Sequence, residues 1–461
     1  MIRTCILVSL VIATWHATPT KLVADDRQPN IIYFLVDDLG RADCGFMGGS
    51  EIRTPRIDKL AAEGATLDAF YVQPVCSPTR AALLTGRYPM RYGLQVGVVK
   101  PWAQYGLPLD ERTIADDLQA AGYVTGVFGK WHLGHFAPEY LPTRRGFTHQ
   151  YGHYNGALDY FSHKREGGFD WHQDDRVNHD EGYSTTLIGQ RAAEFVAANA
   201  GKKPFFLYVP FNAVHSPYQP PKDGVDAYPN LEGDRRNYAA MLTATDDAIG
   251  AVVDAVDKAG VRDNTLFIFS SDNGGPAPGR ITDNGDYRGG KGGLYEGGVR
   301  VAAFATWDGH IAAGATVLEP IHIVDWRPTL QKLCNASPTG DLTMDGLDVW
   351  PTLAAAAPSP HDAILLNATP QVGAVRVGDW KLIVRREGDR KSSKRRREKS
   401  VELFDLQRDP FEKTDLASEQ PERVQQLRTI LDRFAEEAVP PKVANKPKSF
   451  VVPAVWGESG G

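Results

Sequence analysis

Cysteine is scarce in this chain of 461 residues: Cys5, Cys44, Cys76 and Cys334 are the whole complement. Cys5 falls in an N-terminal leader and Cys76 in a motif of its own, so only Cys44 and Cys334 could pair. That is too few for a disulfide framework. No paired Cys or Cys-His cluster has zinc-site spacing either. Positive charge is not in excess: the net charge is −6, and Arg3 and Lys21 leave with the leader. Such a chain repels polyanions at long range, which argues against nucleic acid as a partner and requires any anionic substrate to be attracted locally. Beyond the first twenty residues no apolar run is long enough to span a bilayer, so no stable membrane insertion is expected once the leader is gone. Internal repeats are absent as well.

The leader itself is legible. Arg3 precedes the short apolar segment Ile6 to Ala13, and polar residues lead to Val23-Ala24-Asp25-Asp26. This pattern reads as a secretory signal peptide cut between Ala17 and Ala24, too short for a membrane anchor. It predicts a secreted or periplasmic protein. The expected division is a signal peptide over 1–24, a catalytic domain over 25–355 and a C-terminal subdomain over 356–461.

Unbroken apolar runs occur at Ile31 to Val36, Gly122 to Phe128, Phe205 to Val209 and Thr265 to Ser271. Runs of this kind suit strands buried on both faces. Helical patterns separate them, at Pro108 to Ala121, Thr185 to Ala200 and Tyr238 to Ala259. The alternation predicts an α/β fold: a large, mostly parallel sheet with helices on both faces. Each run ends in a polar cluster: Asp37-Asp38, Lys130-Trp131-His132, His215 after Asn212, and Asp272-Asn273. The C-terminal ends of such strands are where open α/β sheets bind ligands. After about residue 355 the texture changes to short strand-like pieces, a basic run from Arg385 to Lys399 and a helix near Pro421 to Ala438. This reads as a smaller α+β lobe with an antiparallel sheet.

Cys76-Ser77-Pro78-Thr79-Arg80 opens a helix-forming run that continues to Thr85-Gly86-Arg87. Pro is well tolerated in a first helical turn, which places Cys76 at the helix N-terminus. Arg80 follows one turn later, on the same side. A helix N-terminus beside an arginine favours an oxyanion such as sulfate or phosphate. Asp37, Asp38, Asp272 and Asn273 offer hard oxygen donors from two strand ends, a set suited to Ca²⁺ or Mg²⁺. Lys291 lies in Arg288-Gly289-Gly290-Lys291-Gly292-Gly293, where glycines permit a tight path towards a ligand.

Taken in order over roughly residues 29 to 420, these segments resemble the type I sulfatases of the alkaline phosphatase superfamily. Leu107 to Glu111, Gly129 to Gly134, Leu141 to Phe147 and Tyr295 to Arg300 are similar to arylsulfatase B-like (N-acetylgalactosamine-4-sulfatase-like) enzymes. The resemblance implies an alkaline phosphatase-like fold and a sulfuric ester hydrolase acting on a sulfated carbohydrate and on aryl sulfates. It implies that a maturation enzyme converts Cys76 to Cα-formylglycine, and that Asp37, Asp38, Asp272, Asn273 and the modified Cys76 hold one Ca²⁺. It further implies that Arg80 holds the modified residue, that Lys130 and Lys291 bind sulfate oxygens, and that His132 contacts the hydrated aldehyde. In that scheme one hydroxyl of the hydrate attacks sulfur and Asp272 accepts its proton. His215 or Lys291 protonates the leaving alcohol.

Two other readings compete. A phosphonate monoester or phosphodiester hydrolase could use the same modified cysteine, though Asn273 in place of a metal-binding His argues against it. A non-catalytic sulfated-glycan binding protein would keep Cys76 unmodified. Trp102, Tyr154, Tyr160, Trp171 and His172 lie in irregular stretches and read equally as sugar-stacking surfaces or packing aromatics. The Arg385 to Lys399 run reads as a solvated loop or as a patch for a sulfated polymer.

Overall fold

The computed structural model describes residues 27–369, 372–385 and 400–458. The leader, and the basic run from Arg386 to Lys399, lie outside the described residues. Ten strands form the main sheet: β1 Asn30–Val36, β2 Ala65–Leu67, β3 Val124–Lys130, β4 His149–His153, β5 His172–Gln173, β6 Arg176–Val177, β7 Phe205–Pro210, β8 Thr265–Ser271, β9 Ala303–Thr306 and β10 Ala315–Val317. Their spatial order is β10-β2-β9-β8-β1-β7-β3-β4-β5-β6. The centre, from β8 through β1, β7 and β3 to β4, is parallel throughout. The four apolar runs of the sequence are four of these five central strands.

β1 shows why the run is unbroken. Ile31, Tyr33 and Leu35 point into one core and Ile32, Phe34 and Val36 into another. The first core holds helices α1 Cys76–Thr85, α2 Ile114–Ala120 and α5 Trp326–Leu333; the second holds α3 Ser184–Asn199 and α4 Gly233–Ala259. A strand covered on both faces has no solvent side on which a polar residue could alternate. Cys44 and Cys334 are free thiols in these two different cores.

Helix boundaries depart from the pattern where caps decide. The expected helix from Pro108 forms only from Ile114. Thr113 takes the N-cap in a capping box with Asp116, its Oγ1 accepting from Asp116 N–H at 3.1 Å, so the chain before it stays irregular. α4 begins five residues before Tyr238 because its first turn is polar and solvent-facing, invisible to an apolar period.

The C-terminal lobe is an antiparallel sheet, β11 Ile364–Ala368, β12 Val372–Val377, β13 Trp380–Arg385 and β14 Ser400–Asp405, against which α6 Pro421–Glu436 packs. Leu365, Val375, Leu382 and Leu403 join the core that contains Ile31 and Leu35, so the lobe shares a hydrophobic interior with the main sheet.

Candidate active site

Four strand ends, of β1, β3, β7 and β8, and one helix N-terminus converge. Just past β1, Asp37 N–H donates to Ala213 O at 2.9 Å, and Asp272 N–H donates to Val36 O at 3.1 Å. These bonds extend the ladder one step and hold Asp37 between the chains leaving β7 and β8. Asp38 and His132, each the second residue beyond its strand, both adopt left-handed backbone with φ 59°. Non-glycine residues there cost about 1 kcal/mol or more, so the surrounding bonds must enforce the turn. Gly274 has no such freedom of replacement: a Cβ at that position would meet Gly297 O, so the β8 exit and the loop carrying Lys291 pack backbone to backbone.

Cys76 is the first residue of α1 and is buried, with Sγ 3.4 Å from Asp37 Oδ1. Arg80, fully buried one turn on, donates through Nε and Nη2 to Asp272 Oδ2 at 3.2 and 2.9 Å and through Nη1 to Lys130 O at 2.8 Å. Lys130 Nζ pairs with Asp37 Oδ2. Lys291 Nζ lies 2.7 Å from Asp38 Oδ1 and donates to Oδ2 at 2.8 Å. Three buried carboxylates therefore face three cations. Asn273 Nδ2 donates to Asp38 Oδ1 at 2.8 Å, while its Oδ1 is buried with no hydrogen-bond partner.

Two histidines complete the cluster. His132 Nε2 faces Val99 O at 3.1 Å, an atom that can only accept, so Nε2 carries the proton and the buried, partnerless Nδ1 holds the lone pair. Burial, then Lys130 and Arg80, push its pKa well below the usual value and keep it neutral. His215 Nδ1 donates to Ser216 O at 2.6 Å, and Nε2 sits 3.6 Å from Asp38 Oδ2. Burial lowers its pKa although Asp38 and Asp37 oppose the shift. Burial works against charge on Asp37, but Lys130, His215, Arg80 and Lys291 outweigh it and hold that carboxyl far below the usual range. Burial pushes the Cys76 thiol well up, with Asp272 and Asp37 adding to the effect. An unmodified Cys76 is thus a poor thiolate nucleophile.

The donor set fits a hard divalent cation. Ligand atoms of Asp37, Asp38, Cys76 and His215 lie within 4.8 Å of one another, and the orphaned Asn273 oxygen adds a neutral hard donor. Asp272 stands beside this group with its carboxylate shared between Arg80 and the Asp38 N–H, the latter at 3.3 Å.

A cleft of about 640 Å³ opens over Cys76, His132, His215 and Lys291. Lys130 and Arg80 lie beneath this floor, paired with carboxylates. Residues missed by sequence reasoning also line it: Val99 and Lys100, Arg165, and Ser216 with Pro217. None of these carries a pattern; they reach the cleft because their loops fold over it. The aromatic candidates divide otherwise. Tyr154, Tyr160, Trp171 and His172 are buried packing residues, and Trp102 donates from Nε1 to Ala444 O at 2.9 Å.

Residues 29–336 match the Sulfatase family model. The chain belongs to the sulfatase family. Mouse arylsulfatase J is 36% identical over 95% of this chain and 81% of its own. Human arylsulfatase A is 35% identical over 88% and 87%. The solved structure of Ps i-CgsB superposes with a TM-score of 0.82 at 31% identity, covering 90% of this chain and 94% of that one, and the same protein has been solved in complex with k-i-k-neocarrahexaose. The type I sulfatase resemblance and the alkaline phosphatase-like fold inferred from sequence agree with these relatives. The protein is a sulfatase, a hydrolase of sulfate esters. Among the described residues no helix is long and apolar enough to cross a membrane.

Proposed function

We propose that this sulfatase removes O-sulfate from a sulfated carbohydrate, using Cα-formylglycine made from Cys76 by a maturation enzyme and one bound Ca²⁺. The observation that carries the reading is Cys76 itself: a buried thiol with no thiolate character, at a helix N-terminus and at the floor of a cleft. The hydrated aldehyde would supply the nucleophile that the thiol cannot. Ca²⁺, held by Asp37, Asp38, Asp272 and Asn273 with the modified residue, would stabilise negative charge on the sulfuryl oxygens.

The chain's own groups have matching tasks. Arg80 orients Asp272 through one oxygen and stands 3.5 Å from Asp37. Asp37 is held ionised, while burial and the neighbouring Asp37 push Asp272 up to about 6 against the pull of Arg80 and Lys130, which suits it to accept a proton. His132 Nδ1, neutral and unpartnered, can take a proton from a hydroxyl beside it. Lys291 is kept charged: burial opposes this, but Cys76, Asp38 and Asp37 raise its pKa. It can bind a sulfate oxygen or, with His215, protonate the leaving sugar oxygen. Secretion after cleavage of residues 1–24, and a catalytic domain over 25–355 followed by a subdomain over 356–461, complete the reading. Relatives whose names specify arylsulfatase or N-acetylgalactosamine-6-sulfatase support it.

The test is a mass measurement of the tryptic peptide containing Cys76, made beside a desulfation screen on defined saccharides. Conversion of Cys76 together with sulfate release is expected, and Cys76→Ala should retain the fold without turnover. Activity of a few per cent or more in that variant would exclude the mechanism.

A further inference from the structure

The wall of the cleft carries two cations that chemistry at sulfur does not employ, Lys100 and Arg165. Backbone contacts place the segments that carry them. Lys100 lies between Val99, whose carbonyl faces His132 Nε2 at 3.1 Å, and Pro101, whose carbonyl faces His135 Nε2 at 3.2 Å. Its ammonium has no ion pair among the described residues. Arg165 sits in a two-residue hairpin, Lys164–Arg165 paired with Gly168–Phe169. The turn residues Glu166 and Gly167 have φ 52° and 99°, the geometry a tight hairpin prefers.

The end of the chain clamps that hairpin. Trp456 Nε1 donates to Arg165 O at 2.9 Å, Phe169 N–H donates to Ala454 O at 2.8 Å, and Trp456 N–H donates to Phe169 O at 2.9 Å. Glu166, the carboxylate next to Arg165, is claimed by Lys446 at 3.1 Å and stands 3.9 Å from the Arg165 guanidinium, beyond hydrogen-bond reach. Arg165 Nε is buried with no partner. A rigid mount, and a carboxylate partner that Lys446 draws off to 3.9 Å, leave the part-exposed guanidinium with donors for an incoming anion. Among the described residues, those lining the cleft include no Trp, Tyr, Phe, Asp or Glu. Recognition there rests on charge rather than on ring stacking.

We infer that Arg165 and Lys100 form a second anion subsite, and that the substrate is a saccharide bearing another anionic group, a sulfate ester or a carboxylate, close to the sulfate that is removed. The inference rests on the carbohydrate reading above. The test compares three disaccharides: one monosulfated, one with a second sulfate and one with a uronate carboxylate. The wild-type enzyme should favour one or both dianions through KM, and the arm that gains identifies the anion. Arg165→Gln and Lys100→Gln should raise KM on the favoured dianion about tenfold more than on the monosulfated sugar, with kcat little changed. Equal wild-type KM values for all three, or equal losses on all three in the variants, overturn the subsite. Turnover of an aryl sulfate with none of the saccharides hydrolysed overturns the carbohydrate reading and the subsite together, a result distinct from equal losses.

Discussion

Arg80 grips Asp272 through a single carboxylate oxygen, with Nε at 3.2 Å and Nη2 at 2.9 Å, in a place where neither side chain meets solvent. The same guanidinium donates to Lys130 O, so one arginine ties α1, β3 and the end of β8. Replacing it by Met leaves buried carboxylates with one cation fewer. A loss of about 3–5 kcal/mol is expected in a urea titration. Arg80→Lys should recover only part of this, because an ammonium cannot reach both Asp272 and the Lys130 carbonyl. An unchanged denaturation midpoint for Arg80→Met would contradict the assignment.

Metal content provides a second check. Purified active enzyme should contain one calcium per chain, lose turnover on chelation and regain it with Ca²⁺. Asp272→Ala should be the worse of two variants, since Asp272 also receives Arg80 and the Asp38 N–H, whereas Asn273 contributes one amide oxygen. Elemental analysis decides the matter: stoichiometric zinc without calcium would refute the hard-ion reading.

Lys381 of β13 is fully buried between two carboxylates, 2.8 Å from Glu296 Oε1 and 2.8 Å from Glu412 Oε1. Tyr71 OH donates to Glu296 Oε2 at 2.8 Å, and Glu296 opens the short helix that ends the Lys291 loop. Lys381→Met removes the cation shared by two buried acidic groups, leaving, among the described residues, Glu412 without one and Glu296 with Arg300 alone at 3.4 Å. It is expected to cost about 3–5 kcal/mol. Adding Glu412→Gln should restore part of that stability, read as a partial recovery of Tm. A double variant no more stable than the single one would show that the two groups are not coupled.

Acid stability is governed in part by His322. Burial, and then His361, press its pKa down to about 3. The folded state therefore binds fewer protons than the unfolded state between pH 3 and 6.5, and stability falls as pH drops through that window. At pH 5 the loss from this one group is roughly 2 kcal/mol. His322→Asn should flatten the change in urea midpoint between pH 7 and pH 5. A slope equal to that of the wild type would assign the effect elsewhere.

Strand ends and the Cys76 helix were readable because their chemistry is written in contiguous residues. Asp37-Asp38 and Asp272-Asn273 each follow an apolar run, and Cys76 and Arg80 share one helical turn. Lys100 and Arg165 were not readable, since each is an ordinary cation in its own segment. What gives Arg165 its position is a hydrogen bond to Trp456 and an ion pair between Lys446 and Glu166, both contacts across more than two hundred residues. The strand Ile364–Ala368 escaped for another reason: Ile-Leu-Leu-Asn-Ala shows no alternation, and its Leu and Ala suit a helix as readily as a strand. The helix expected from Pro108 failed because Thr113 supplies a better start than Pro108 does.

The clasp formed by residues 446–456 also orders events in time. Every group at the sulfur end of the cleft, Asp37 to Lys291, leaves the ribosome well before Lys446 and Trp456 exist. The hairpin at 164–169 must wait for them. A message cut short after Glu436 would encode the whole sulfur end of the cleft and would lack the residues that hold up its hairpin wall.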